Sequence, residues 1–297
     1  MPLDPLPPET GPRHWWRVAT TIPLAVVLFL TLLFFNVLQM LSYVLVPFSK
    51  PAFRKVNTTL AGTWWGWCVL AVERLRGTRL VLTGDEIPPR ENAVVISNHQ
   101  QMPDIVAVMM LAKPRGMLGH LKFFVKDPLK WVPGMGWGMV FLGCVFVRRR
   151  WTEDRGRIER AFAAIVGERL PVWLVTYPEG TRLTRAKLER ARRFAEERGL
   201  TPPRHTLVPR TKGFAATVEA LRGHVAAVYD LTVGYEEGVP TLWQLALGQV
   251  RRIHMHARRF PIETLPEGRE ALAAWLLERF REKDDRLEHF YETGRFD

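Results

Sequence analysis

No charged residue occurs between Arg17 and Lys50, and this apolar run limits what the chain can become more than any other feature. As one straight helix, residues 18–49 extend about 48 Å, against a bilayer hydrocarbon thickness of about 30 Å. The run can span, tilt or bend. It is too long, and too weakly followed by small residues, for a cleaved signal peptide, so it is expected to stay in the mature protein. A second uncharged stretch, 56–72, carries Trp64, Trp65 and Trp67, a residue type that anchors at headgroup level. Arg13 and Arg17 precede the first run, and Lys50, Arg54 and Lys55 follow it, so flanking charge does not choose a topology. A hairpin dipping into one leaflet and a pair of full spans both fit. Either returns the main domain to the N-terminal side, and the hairpin is expected to be separable from a domain that folds without it.

The remainder reads as an ordinary folded chain. With 42 Lys plus Arg against 30 Asp plus Glu, the formal charge is +12, which suits an anionic membrane surface better than nucleic acid. Two cysteines, Cys68 and Cys144, build neither a disulfide scaffold nor a zinc site unaided and suit a reducing compartment. Short apolar runs at 80–82, 93–97, 144–147, 172–177 and 225–233 predict buried strands. Helical patterns fall at 104–111, 152–169, 187–198 and 268–291. Strands alternating with helices predict an α/β domain with a mostly parallel sheet covered by helices on both faces, preceded by an N-terminal membrane-embedded helical segment. The expected division is a loose proline-rich leader over 1–16, membrane helices over 17–75, and the α/β domain over 76–297, ending in an amphipathic helix.

Three polar clusters sit just behind strand-like runs, where open α/β sheets place ligands. After the first come Asn98-His99-Gln100-Gln101-Met102-Pro103-Asp104. A histidine and an aspartate five residues apart across such a turn can meet, the carboxylate holding one imidazole nitrogen and leaving the other as a base; alternatively Asp104 only caps the next helix. The second is Pro178-Glu179-Gly180-Thr181-Arg182, in which glycine permits close backbone approach and Arg182 offers a planar charged fork for phosphate. A plain turn is the alternative. Arg148, Arg149 and Arg150 follow Phe146-Val147 and read equally as a membrane-surface patch.

Together the clusters resemble the four ordered motifs of the glycerolipid acyltransferases: Asn98-His99 with Asp104, Phe146-Val147-Arg148-Arg149, Pro178 to Arg182, and Leu207-Val208-Pro209. The likeness covers about 79–235 and includes the link from Lys126 to Trp137. The stretch Leu207-Val208-Pro209-Arg210-Thr211-Lys212-Gly213-Phe214 is similar to the lysocardiolipin acyltransferase branch and some bacterial homologues. The resemblance implies a membrane-bound enzyme that moves an acyl group from a thioester, carried on coenzyme A or acyl carrier protein, to the sn-2 hydroxyl of a lysophospholipid. It implies His99 as general base, Asp104 as its partner, and Lys126, Arg149, Glu179, Gly180, Thr181 and Arg182 as the acceptor's binding residues. A backbone amide near Gly180 is expected to face the oxyanion. No metal or other cofactor is implied.

The residues agree with that chemistry, because Ser42 and Ser49 lie in or beside the apolar run and Ser97 has no Gly-x-Ser-x-Gly elbow, which leaves no serine for a covalent route. Two positions depart from the family pattern: Met102 and Ile105 stand near its usual serine and tryptophan, and Arg148 replaces a common acidic residue. The extra positive charge suits a more anionic acceptor. His254-Met255-His256 lacks a third ligand for a metal. A membrane-anchored lipid-binding protein that has lost catalysis is the rival reading, and the cytoplasmic side of the cell's inner membrane is the expected location.

Overall fold

The computed structural model describes residues 4–148 and 151–296, with backbone alone for 151–153. Helix α1 (Pro12–Leu41) begins earlier than the leader's proline content suggests, because Pro12 occupies the first helical turn, where its missing N–H costs nothing. Nor are the leader's described residues loose. Leu6 donates to the Val239 carbonyl at 3.0 Å, Val239 donates to Asp4 at 2.9 Å, and Leu6 is buried. α2 (Lys50–Leu70) starts at Ser49, whose hydroxyl accepts from the Ala52 amide, and runs back along α1. Trp64 donates its indole N–H to Leu28 O at 3.0 Å, and Phe35 meets Trp67 edge-on. The polar members of the apolar segment pair inside this hairpin: Asn36 with Gln39 at 3.1 Å and Asn57 with Ser42 at 2.9 Å.

Seven strands follow: β1 (Arg79–Gly84), β2 (Ala93–Ser97), β3 (Leu121–Lys126), β4 (Val145–Val147), β5 (Trp173–Thr176), β6 (Ala227–Gly234) and β7 (Arg252–Pro261). They form one sheet in the order β1-β7-β6-β2-β5-β3-β4. The run from β6 to β4 is parallel throughout; β7 joins β6 antiparallel and carries β1 parallel to itself. The helices are α3 (Pro103–Ala112), α4 (Met135–Phe141), α5 (Trp151–Gly167), α6 (Arg185–Glu196), α7 (Thr211–Leu221), α8 (Leu242–Ala246) and α9 (Arg269–Thr293). On one face Val95, Val175 and Leu231 pack with α3 and with Ala61 and Val69 of α2. On the other, Val94, Leu174 and Val228 meet Ile158, Phe162, Phe214 and Leu276 from α5, α7 and α9.

α2 is therefore a wall of the core, not a detachable anchor. Gly62 and Gly119 approach so closely that a Cβ on Gly119 would lie 2.3 Å from Thr58 O. Removing residues 1–75 strips Ala61 and Val69 from the core beside α3 and exposes the apolar surface they cover, which weighs against the expectation of a domain that folds without them. α1 is docked along its length as well. Thr21 reaches Ala246 O at 3.4 Å, Leu32 lies against Gly134, and Asn36 and Gln39 against Gly138. Among the described residues, one helix, Pro12–Leu45 with its short 3-10 extension, is long and apolar enough to cross a membrane. Two strands escaped the sequence reading. β3 is an apolar run interrupted by Lys122, and β7 carries five Arg and His side chains whose partners lie far away, such as Glu91 for Arg259.

Candidate active site

Because β6, β2, β5, β3 and β4 are parallel neighbours, their carboxyl ends share one edge of the sheet. That edge gathers residues far apart in the chain: the loop after β2 with His99, the loop after β5 with Glu179 to Arg182, Lys126 at the end of β3, Arg148 after β4, and Tyr235 after β6. Arg149 and Arg150 lie outside the described residues.

His99 and Asp104 meet. The imidazole Nδ1 and Asp104 Oδ2 are 2.9 Å apart, and Asp104 is completely buried. Asp104 sits one residue inside α3, behind Pro103, and its Oδ2 also accepts from the amides of Gln100 and Gln101 at 2.7 and 2.9 Å, while Oδ1 accepts from the Tyr235 hydroxyl at 2.7 Å. It thus binds the loop that carries His99 instead of capping its own helix. A group met only by donors is an acceptor-only carboxylate, so the proton of the His99 contact belongs on Nδ1 and the lone pair on Nε2. The ring stacks on Tyr177, with centroids 4.2 Å apart and planes 25° apart, which fixes its second rotational freedom.

Glu179 takes a different place from the acceptor contact expected of it. It is 3% exposed; one oxygen accepts the His99 amide at 2.7 Å and the other the Leu207 amide at 2.9 Å. Its carboxyl clamps the first motif to the fourth, and burial pushes its pKa up to about 8 against the pull of those two amides. Gly180 has a φ of +70°, which a side chain resists, and its own N–H is donated to Tyr177 O at 2.8 Å. Thr181 Oγ1 accepts from Lys187 Nζ at 2.8 Å. Arg182 reaches Gln101 Oε1 at 2.5 Å, tying the second cluster to the first. Lys126 is exposed at the strand end. Arg148 lies 4.0 Å from Asp127, which also holds Lys130 and Arg157.

The C-terminal helix completes the edge, a contribution that sequence reasoning missed. Asp284 of α9 accepts from the amides of Arg204, His205 and Thr206, fixing the bend that leads to Leu207, and Tyr291 receives a hydrogen bond from Gln100 Nε2 at 2.9 Å. Neither Tyr235 nor Asp284 lies in a local pattern, and only their distance from the motifs hid them. A cleft of about 490 Å³ lined by Met40, Tyr43, Trp131, Trp137, Val140 and Phe141 opens beside the end of α1, with Lys130 among its walls.

A buried carboxylate that holds one imidazole nitrogen on a parallel-sheet edge leaves the other nitrogen open to act as a base. The chain belongs to the acyltransferase family: the family described as Acyltransferase matches residues 79–236, and Acyltransferase C-terminus matches residues 244–297. Lysocardiolipin acyltransferase 1 of Danio rerio is 37% identical over 259 residues, covering 85% of this chain and 67% of that protein. The 1-acyl-sn-glycerol-3-phosphate acyltransferase 2 of Brassica napus is 35% identical over 285 residues, 94% of this chain and 73% of that one. The crystal structure of the 1-acyl-sn-glycerophosphate (LPA) acyltransferase PlsC from Thermotoga maritima shares the fold, with a TM-score of 0.53 at 17% identity over 91% of this chain and 97% of that one.

Proposed function

We propose that this acyltransferase moves a fatty acyl group from a thioester donor, acyl-CoA or acyl carrier protein, to the sn-2 hydroxyl of lysophosphatidic acid or a related lysophospholipid. The names of its relatives support a glycerolipid acceptor. The observation that carries the mechanism is the 2.9 Å contact between His99 and the buried Asp104. Nε2 removes the acceptor's hydroxyl proton as its oxygen attacks the thioester carbonyl, Asp104 stabilises the imidazolium, and the proton passes to the departing thiolate. Arg182 and Thr181, with Lys126 and Arg149, bind the acceptor's phosphate. Glu179 acts by positioning.

The protein works at a membrane, on the cytoplasmic side of the inner membrane. α1 is held against the domain from Thr21 to Gln39, about 27 Å of helix, and cannot stand along the bilayer normal without drawing the domain into hydrocarbon. This favours the hairpin in one leaflet over two spans. Trp131, 76% exposed beside the end of α1, extends the same apolar side. The neighbouring cleft has the volume and lining of a site for a hydrocarbon chain. A membrane seat matters because each methylene drawn out of the bilayer costs about 0.8 kcal/mol.

The test is transfer of a labelled acyl group from acyl-CoA to lysophosphatidic acid and lysocardiolipin by purified wild type and His99→Ala. Transfer by the wild type and its loss in a folded variant is the expected result. A wild type inert toward every lysophospholipid and both donors sinks the proposal in favour of a lipid-binding protein without catalysis.

A further inference from the structure

Directly after the fourth motif, Leu207-Val208-Pro209, stands an arginine, Arg210, to which no role has yet been given. Arg210 donates its backbone N–H to Pro178 O at 2.8 Å, which seats it beside the turn bearing Gly180, Thr181 and Arg182. Its side chain folds back across that turn. A Cβ on Gly180 would come within 3.0 Å of Arg210 Nε and 3.2 Å of Cζ, so the guanidinium lies where only glycine leaves room. The side chain is exposed, and it makes no hydrogen bond or ion pair among the described residues. Arg182, two residues along, likewise has no carboxylate partner among them. Glu179, the acid within this turn, is buried with both oxygens taken by backbone amides.

Two guanidinium groups thus flank one turn with no nearby carboxylate pairing either. Both groups are exposed and open to an incoming anion, and a guanidinium fork matches phosphate oxygens two at a time. Arg210 also caps the eleven-residue α7 without a side-chain contact of its own, so the unpaired amides of that helix end add positive potential on the same side. We propose that Arg210 is a second phosphate-binding arginine of the active site, acting with Arg182 across Gly180. The inference rests on the reading of the site as an acyltransferase centre and adds a specificity residue to it. The phosphate belongs to the acceptor's headgroup or to the donor's nucleotide or phosphopantetheine, and kinetics separate the two.

The experiment measures KM for lysophosphatidic acid and for acyl-CoA, each varied at saturating co-substrate, in wild type, Arg210→Lys and Arg210→Gln. Loss of one charge-assisted contact raises KM for the substrate that owns the phosphate about tenfold to a hundredfold, with kcat within about threefold, and lysine restores only part of it. A rise confined to lysophosphatidic acid assigns the phosphate to the acceptor; a rise confined to acyl-CoA assigns it to the donor. Unchanged KM for both in Arg210→Gln overturns the proposal. If the wild type transfers nothing, the acyltransferase reading fails separately, and modification of Arg210 by phenylglyoxal, followed by mass spectrometry, decides the anion site: protection by glycerol 3-phosphate supports it and equal labelling overturns it.

Discussion

Replacing Asp104 with asparagine removes one charge and almost nothing else, which makes it the sharpest probe of the dyad. The asparagine oxygen placed at Oδ2 keeps the contacts from His99 Nδ1 and the amides of Gln100 and Gln101, while the new NH2 faces the Tyr235 hydroxyl, which can turn to accept. The fold and the imidazole's orientation therefore persist. What disappears is the attraction between an imidazolium and a carboxylate across 2.9 Å. At an effective dielectric of about 20 this is about 6 kcal/mol, felt fully only once the proton has moved. At 1.36 kcal/mol per tenfold, kcat falls by about 10⁴, and the thermal midpoint stays within a few degrees. Single-turnover transfer of labelled acyl-CoA to lysophosphatidic acid, read beside circular dichroism melting, measures both. A folded variant retaining more than a tenth of wild-type kcat refutes the role given to the charge.

Three further outcomes follow from the same geometry. Tyr235→Phe leaves the buried Asp104 Oδ1 without its donor, so it costs about 1–3 kcal/mol of stability and lowers kcat without raising either KM; denaturant unfolding and steady-state kinetics read these out, and an unaltered kcat contradicts the hydrogen-bond account. Glu179 has its pKa raised in the fold, so the stability it contributes is full below about pH 4.5 and is lost as pH rises through about 8. Glu179→Gln should then show a flatter melting temperature than wild type between pH 5 and 9, and parallel curves for the two proteins exclude it. Asp284→Ala releases three amides at 204–206 and frees the approach to Leu207; faster hydrogen exchange there with lower kcat is expected, and unchanged protection is the contrary result.

Local patterns made much of this protein legible. The first helix, the strands ending at Ser97, Val147 and Thr176, and the helix after Pro103 follow from runs of like residues, since periodicity and turn chemistry act over a few positions. The pairing of His99 with Asp104 was legible for the same reason, being a contact across one turn. Glu179 shows where local reading stops. Its motif suggested a ligand for substrate, yet β5 lies between β2 and β3 and places its carboxyl between the His99 and Leu207 amides, a partnership no spacing reveals.

Sequence alone determined that a charge-free segment must leave water and that a base and its carboxylate share one bend, because hydrophobic length and short-range geometry are properties of contiguous residues. Only the tertiary structure decided that the segment's second helix walls the core, that Tyr235 and α9 hold the bend in place, and that Arg210 lies over Gly180. Those relations arise from strand order and from packing between residues up to 191 positions apart, as for Gln100 and Tyr291, and such contacts exist only once the sheet has assembled.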